Sequence, residues 1–218
     1  MPSLWRCPWP DSAQLDRHAV HRMLSGWLDS DHHAPRKPWS WVRAESELLI
    51  GLLDDRLGER LLRGANAIRM PLEQVAATSW AALRAARGTR DGWCMQFISP
   101  VTFRRGNRFV PWPAPSAVFG SLRATWRHFA AFEVGDLELD LRLDPLVVTA
   151  VRGASHTERV EVHGQDSVLV GGFLGTVRYA IDGPVNGQTV DSLVRLAPFS
   201  GVGAYTTRGF GGVRRSER

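Results

Sequence analysis

The sequence predicts an α+β fold of two consecutive domains, each with an antiparallel sheet and helices on one face. Apolar residues alternate with polar ones in the segments expected to be strands and recur at helical spacing in those expected to be helices. In the first half these segments follow the order strand, helix, strand, strand, helix, strand, which is the ferredoxin-like plan. The second half repeats this order after a polar segment at 84–92. We therefore expect domains at residues 1–87 and 92–218.

The first half contains a clear amphipathic helix. Val20, Leu24 and Leu28 recur at helical spacing, and Asp11 or Ser12 can cap the helix because a short polar side chain accepts hydrogen bonds from the first free N–H groups. The remaining segments are predicted as strands at 4–8, 39–43, 47–53 and 67–79, and a short helix at 54–63.

The second half repeats the plan with insertions. An amphipathic helix is predicted at 116–132, with Val118, Leu122, Trp126 and Phe129 on one face. The other elements are predicted as strands at 93–98, 137–151, 159–163, 167–181 and 208–215, a long loop or hairpin at 99–115, and a short helix at 189–197.

Length and composition are those of a globular protein. The 218 residues are 44% hydrophobic, and no apolar run approaches the ~20 residues of a membrane span. The N-terminal segment lacks the apolar stretch of a signal peptide, so we expect a cytoplasmic protein. Cys7 and Cys94 lack the spacing of a metal site, and we expect neither a metal nor a cofactor.

The charge is basic and unusual in kind. The formal net charge is +5, and Lys37 is the one lysine among 27 basic residues. Such a balance favours a polyanionic partner, because each neutralised phosphate releases counterions. An Ala-, Arg- and Gly-rich composition also arises from codon bias, so the positions of the charges carry more information than their sum.

The strongest local signal is a glycine-rich segment at 201–212, with five glycines in twelve positions. Backbone N–H groups in such a loop can hold phosphate oxygens, and Arg208, Arg214 and Arg215 add positive charge. Composition alone leaves two interpretations open: an anion-binding loop, or a tight loop whose glycines serve packing.

This loop resembles the C-terminal signature of the CRISPR repeat-processing endoribonucleases of the RAMP superfamily, with glycines at the matching positions Gly201, Gly203, Gly209 and Gly211. The segments at 97–126, at 170–181 and at 32–41 (HHAPRKPWSW) resemble further segments of that family. The resemblance implies two ferredoxin-like domains that bind CRISPR repeat RNA and cut it without a metal. The ribose 2′-hydroxyl would attack the adjacent phosphate and leave a 2′,3′-cyclic phosphate.

That chemistry needs a general base, a general acid and a cation for the developing charge. Histidine suits the proton transfers because its pKa lies near neutrality. The resemblance implies a histidine after the first helix, where His32 and His33 stand, with Lys37 for charge stabilisation. His18 and His21, within the helix, are the rival candidates.

The remaining site residues are those expected to contact RNA. Arginines interleaved with aromatic rings are typical of RNA contacts, and two arginines one helical turn apart extend a basic face. The candidates are Arg36, Arg104, Arg105, Arg108, Arg123, Arg127, Gly201, Gly203, Tyr205, Arg208, Gly209 and Gly211. The alternatives are a non-catalytic RAMP subunit that holds guide RNA, and an unrelated nucleic-acid-binding protein with the same plan. CRISPR effector-complex subunits and a second copy of the chain are the further partners considered.

Overall fold

The computed structural model describes residues 1–9, 16–31, 33–85, 92–139, 146–163, 166–182 and 187–216. Its strands are β1 (Ser3–Pro8), β2 (Trp39–Ala44), β3 (Glu47–Leu52), β4 (Glu73–Ala77), β5 (Gly92–Val101), β6 (Phe103–Arg105), β7 (Arg108–Val110), β8 (Leu146–His163), β9 (Asp166–Ile181) and β10 (Val213–Ser216). Its helices are α1 (Arg17–Leu28), α2 (Arg56–Ala67), α3 (Trp80–Arg84), α4 (Pro115–Phe129), α5 (Ala131–Val134) and α6 (Gly187–Ser200), with a 3-10 turn at Thr206–Arg208.

The strands form two four-stranded antiparallel sheets of the same topology. The first has the order β2-β3-β1-β4, and the second has the order β10-β5-β9-β8. The central strands are β1 and β3 in the first sheet and β5 and β9 in the second. These are the first and third strands of each domain, apart from the inserted hairpin, as the ferredoxin-like plan requires. Strands β6 and β7 form a separate hairpin inserted between β5 and α4. The predicted fold class is confirmed, whereas the exact domain bounds 1–87 and 92–218 stay a prediction.

Alternation along the strands explains the two cores. In β5 the side chains of Trp93, Met95 and Phe97 are buried, and in β1 those of Trp5 and Cys7 are buried. Every second residue thus faces the helices that cover the sheet.

Helix α1 follows the predicted pattern, since it buries Val20, Leu24 and Leu28. The cap was predicted wrongly, because the side chain of Asp16 accepts the hydrogen bond from the His18 N–H. Asp11 and Ser12 lie outside the described residues.

Several predicted bounds need correction. Helix α2 continues to Ala67, because its buried stripe extends through Leu57, Leu61 and Ala65. The extended segment predicted at 67–79 is therefore reduced to β4, and the short helix α3 follows it. The predicted long loop at 99–115 contains the β6–β7 hairpin.

Two bounds near the C-terminal half also differ. Strand β8 begins at Leu146 rather than at 137 and runs without a break to His163. The last strand begins at Val213 rather than at 208, since Gly209 and Gly211 have φ values of +81° and +68°, which an extended strand excludes.

The two domains contact each other through backbone. A Cβ added at Gly51 of β3 would lie 2.0 Å from the carbonyl oxygen of Phe199, at the end of α6. Ser40 Oγ of β2 donates a hydrogen bond to that same carbonyl, at 3.2 Å. Because no side chain separates these elements, the first sheet lies directly against the end of the last helix and the segment that follows it. Among the described residues, no helix has the length and apolar character needed to cross a membrane.

Helices α1 and α2 pack closely where Gly64 meets Trp27, and this contact can be tested. A Cβ at Gly64 would lie 2.3 Å from Cδ2 at the base of the Trp27 indole. Gly64→Ala should therefore lower the free energy of unfolding by about 1–3 kcal/mol in urea titrations, because overpacking outweighs the gain in helix propensity.

The matched control is Gly26→Ala in α1, where an added Cβ would meet nothing within 4 Å. This variant should gain about 0.5–1 kcal/mol, which is the usual preference for alanine inside a helix. Equal stability of the two variants would contradict the packing described for Gly64.

Candidate functional site

The glycine-rich segment at 201–212 is a folded loop between the two domains. Gly203 and Gly211 have φ values of +85° and +68°, a region that L side chains rarely adopt. An added Cβ would lie 2.3 Å from the Thr102 carbonyl oxygen at Gly203 and 1.9 Å from the Val202 carbonyl oxygen at Gly211. Packing therefore requires glycine at these two positions.

The same loop leaves part of its backbone free. The N–H groups of Gly203, Gly211 and Gly212 donate to Ser121 Oγ, the Pro100 carbonyl and Ser99 Oγ, each at 2.9 Å. Within the described part of the chain, the N–H groups of residues 205–207 donate to no protein atom. Packing thus accounts for the glycines at Gly203 and Gly211, whereas the N–H groups of residues 205–207 are available to bind an anion.

A cleft of about 820 Å³ lies between this loop, the β6–β7 hairpin, one side of α4 and residues 35–37 of the first domain. Four cations line it: Arg36, Lys37, Arg104 and Arg105. No carboxylate is among the described residues of its lining. Charges of one sign in a concave site concentrate the field that they produce, so this cleft suits an anionic ligand.

Aromatic rings connect the hairpin to the loop. The rings of Phe109 and Tyr205 stack with centroids 5.0 Å apart and an angle of 29° between their planes. Phe103 is buried, whereas Trp112, just beyond the hairpin, is 51% exposed. The hairpin and the loop therefore form one continuous wall of the cleft.

Lys37 is held in place from the first domain. Its Nζ atom lies 2.5 Å from the Asp31 carbonyl oxygen and 3.1 Å from Asp29 Oδ2. The Lys37 side chain is 16% exposed and lines the cleft. Arg36 Nη1 approaches Thr125 Oγ1 of α4 at 3.5 Å, so this segment connects the two domains.

The predicted His33 lies on the segment that leads to residues 35–37 of the cleft lining. His33 is exposed, and its N–H donates to Asp31 Oδ1 at 2.8 Å. It stands two residues before Pro35, the first residue of the segment that lines the cleft. His32 lies outside the described residues.

The rival histidine His21 has a structural role. Its Nδ1 atom lies 2.7 Å from the Thr207 carbonyl oxygen, which can only accept, so Nδ1 carries the proton. Trp41 Nε1 donates to the same oxygen at 2.7 Å. Burial lowers the pKa of His21, and the hydrogen bond to Thr207 does not overcome that effect. The neutral imidazole of His21 therefore anchors the loop.

His18, the other rival, faces a charge-balanced hollow. Its Nδ1 atom lies 3.3 Å from Glu161 Oε2. Arg17 and Arg208 line the same hollow together with Glu158 and Glu161. Acidic and basic side chains offset each other there, in contrast to the cleft.

The structure does not bring every predicted cation into the cleft. Arg123 and Arg127 both pair with Asp136, and Arg123 also donates to the Leu139 carbonyl oxygen. Arg208 donates to the Glu161 carbonyl oxygen. Arg108 is exposed on β7 and is not part of the cleft lining. Of the predicted cations, Arg36, Lys37, Arg104 and Arg105 share the site.

Sequence reasoning missed Asp29 and Arg17. Asp29 caps the C-terminal end of α1, where the helix dipole disfavours an acidic residue. This unfavourable position was the one sequence feature that could have indicated a special role for Asp29. Arg17 donates to the Gly209 carbonyl oxygen at 2.8 Å across 192 residues of sequence, and no local pattern indicates such a contact.

The fold and the cleft define a tandem ferredoxin-like protein of the RAMP type. The sequence model of the CRISPR-associated endoribonuclease Cas6 family matches residues 95–213. The chain therefore belongs to this family.

Individual relatives agree with this assignment. The CRISPR-associated endoribonuclease Cas6 of Mycobacterium tuberculosis is 27% identical over 145 residues, which is 66% of this chain and 45% of that protein. The chain thus matches less than half the length of this curated relative. The fold is similar to that of a Cas6 product complex, with a TM-score of 0.82, 21% identity and 99% of each chain covered. It is also similar to Thermus thermophilus Cas6, with a TM-score of 0.73, 25% identity, and 99% of this chain and 98% of that chain covered.

The neutral state of His21 predicts a pH dependence of stability. Because its pKa is lowered in the folded state, the unfolded state binds a proton more readily. The stability that His21 contributes is fully present above its usual pKa of 6.5 and decreases as the pH falls below it. In urea unfolding, the advantage of the wild type over His21→Gln should therefore be larger at about pH 7.5 than at about pH 5.

His128→Gln serves as the control, since His128 is exposed on α4. It should change stability little at either pH. An advantage of His21 that stays constant or grows toward acid pH would contradict a neutral anchor.

Proposed function

We propose that the chain is an endoribonuclease that cuts CRISPR repeat RNA in the cleft between its two domains. The single observation that carries this proposal is the cleft lining, with four cations and no described carboxylate. Membership of the Cas6 family supports repeat RNA as the polyanion. The product complex of a structurally similar Cas6 agrees with a cleavage activity.

The walls of the cleft suggest how the RNA is held. Arg104 and Arg105 are exposed on the hairpin and would neutralise phosphates. The free N–H groups of residues 205–207 would donate hydrogen bonds to a phosphate oxygen, as backbone N–H groups do in other anion-binding loops. The loop side of the cleft would be shaped by Gly201, Gly203 and Tyr205. The fold of the loop would be maintained by Gly209 and Gly211, which are not part of the cleft lining.

The proposed reaction needs no metal. The 2′-hydroxyl attacks the adjacent phosphorus, its proton passes to a base, and the 5′-oxygen leaves with a proton, giving a 2′,3′-cyclic phosphate and a 5′-hydroxyl. His32 or His33 would carry out a proton transfer, which histidine performs well near neutral pH. Lys37 would stabilise the charge that develops on the phosphate oxygens.

A second candidate is a non-catalytic RAMP subunit that holds guide RNA. It is favoured by one observation: among the described residues, no histidine lines the cleft itself. Under either function the two domains, proposed at 1–87 and 92–218, would close on RNA together. Effector-complex subunits or a second copy of the chain would then be additional partners.

The test replaces both histidines and measures cleavage of repeat RNA in EDTA. The wild type should cut once per repeat and release a 2′,3′-cyclic phosphate detectable by mass spectrometry. His32→Ala/His33→Ala should cut at least ~100-fold more slowly, the usual contribution of a general acid or base. Its affinity for RNA should stay within about twofold of the wild type, since neither residue is assigned to binding.

The matched control is His128→Ala/His156→Ala, which removes two exposed histidines of the second domain. This variant should cut at the wild-type rate. Cleavage in EDTA by the His32/His33 variant at the wild-type rate would refute the histidine assignment. Tight binding without any cleavage by the wild type would favour the guide-holding subunit.

A further inference from the structure

Lys37 is the one lysine in a chain with 27 basic residues. A lysine ammonium has three N–H donors and a compact charge, whereas the guanidinium of arginine is a planar fork. Two acceptors hold the ammonium of Lys37: the Asp31 carbonyl oxygen and Asp29 Oδ2. One donor therefore remains for a ligand in the cleft that Lys37 lines.

The carboxylate of Asp29 is itself firmly held. Its side chain is 5% exposed. Oδ1 accepts from Trp39 Nε1 at 2.7 Å, and Oδ2 accepts from Ser25 Oγ at 2.9 Å as well as from Lys37. Burial by itself would raise the pKa of Asp29, but the hydrogen bonds from Trp39, Lys37 and Ser25 outweigh it and hold the pKa below its usual value. The group is thus a buried, ionised carboxylate.

These contacts join both ends of one segment. Ser25 belongs to α1, Trp39 begins β2, and Lys37 lies between them. Arg60 Nη2 of α2 also donates to the Asp29 carbonyl oxygen at 3.3 Å. The segment fixed in this way includes residues 33–38, and with them His33 and Arg36.

We infer that Asp29 is a positioning residue for RNA cleavage, because its buried carboxylate holds the Lys37 ammonium where its free donor meets the phosphate at the cut site. Asp29 itself touches no substrate and acts through Lys37. This inference rests on the proposed function, in which Lys37 stabilises the developing charge. Loss of the carboxylate would leave the ammonium free to rotate, and small misplacements of a catalytic group are costly.

The test is a double-mutant cycle on single-turnover cleavage with saturating protein. Asp29→Asn keeps the shape of the side chain and removes its charge. It should slow cleavage on the order of tenfold to hundredfold while the Kd for repeat RNA changes little. Lys37→Met should slow cleavage at least as much, and the double variant should be no slower than Lys37→Met alone, since the two residues act as one unit.

Asp136→Asn is the matched control. Asp136 also pairs with basic side chains, Arg123 and Arg127, but outside the cleft lining. This variant should cleave at the wild-type rate. If Asp29→Asn unfolds, Ser25→Ala removes one hydrogen bond to the carboxylate and should slow cleavage by about twofold to fivefold in a folded protein.

A second measurement tests the positioning of Lys37 by Asp29 without depending on cleavage activity. Because the chain has one lysine, protein labelled with ¹⁵N-lysine gives a single side-chain ammonium resonance. Repeat RNA with a 2′-deoxy nucleotide at the cut site cannot be cut, and its addition should shift this resonance in the wild type and much less in Asp29→Asn. That pattern supports the positioning role even if the wild type proves to cut no RNA.

The results that would overturn the inference are distinct. Cleavage by Asp29→Asn at the same rate as Asp136→Asn would overturn it, and so would an effect that multiplies with that of Lys37→Met instead of overlapping with it. An equal shift of the ammonium resonance in wild type and Asp29→Asn would overturn it as well. Absence of cleavage by the wild type, together with RNA-dependent shifts, would instead contradict the proposed nuclease function alone.

Discussion

The carbonyl oxygen of Thr207 accepts hydrogen bonds from His21 of α1 and Trp41 of β2, both at 2.7 Å. Through this one oxygen, two elements of the first domain hold the glycine-rich loop of the second. Arg17 adds a third link by donating to the Gly209 carbonyl oxygen. Such bonds contribute about 1 kcal/mol each, but a buried partner left without its bond costs about 1–3 kcal/mol. The position of the loop, and with it the shape of the cleft, depends on these links.

The distribution of charge separates structural cations from those available to a ligand. Arg17 pairs with Glu158, and Arg127 pairs with Asp136. Arg104 and Arg105 line a cleft whose described residues include no carboxylate. Exposed ion pairs contribute about 0–1 kcal/mol, whereas unpaired cations in a concave site are costly to keep together unless an anion joins them. Membership of the Cas6 family agrees with the presence of the cations Arg104 and Arg105 in the cleft.

Sequence alone predicted the fold because each sheet and helix has a local pattern. The alternation of Trp93, Met95 and Phe97 and the helical spacing of Val20, Leu24 and Leu28 are visible without any tertiary contact. Five glycines indicated left-handed backbone at 201–212, but not that Gly203 faces Thr102 or that Gly211 faces Val202. Thr102 lies about 100 residues from Gly203 along the chain. Val202 faces Gly211 only because of the way the loop folds, which amino-acid composition does not determine.

The candidate site was predicted in part for the same reason. Arg104, Arg105 and Lys37 were found because motifs and charge clusters are local. Arg123 and Arg127 were predicted to extend the basic face, yet a following segment supplies Asp136 as their partner. Asp29 was not singled out, since its hydrogen-bonded neighbours among the described residues come from α1, α2, β2 and the segment between them.

The proposal rests on RNA lying in the cleft between the domains, whose described lining contains no carboxylate. A crystal structure of the full chain with repeat RNA carrying a 2′-deoxy nucleotide at the cut site tests it most directly. A phosphate is expected within hydrogen-bond distance of Lys37 Nζ, with neighbouring phosphates at Arg104 and Arg105 and at the N–H groups of residues 205–207. RNA bound instead over Arg123 and Arg127, with the cleft empty, would contradict it.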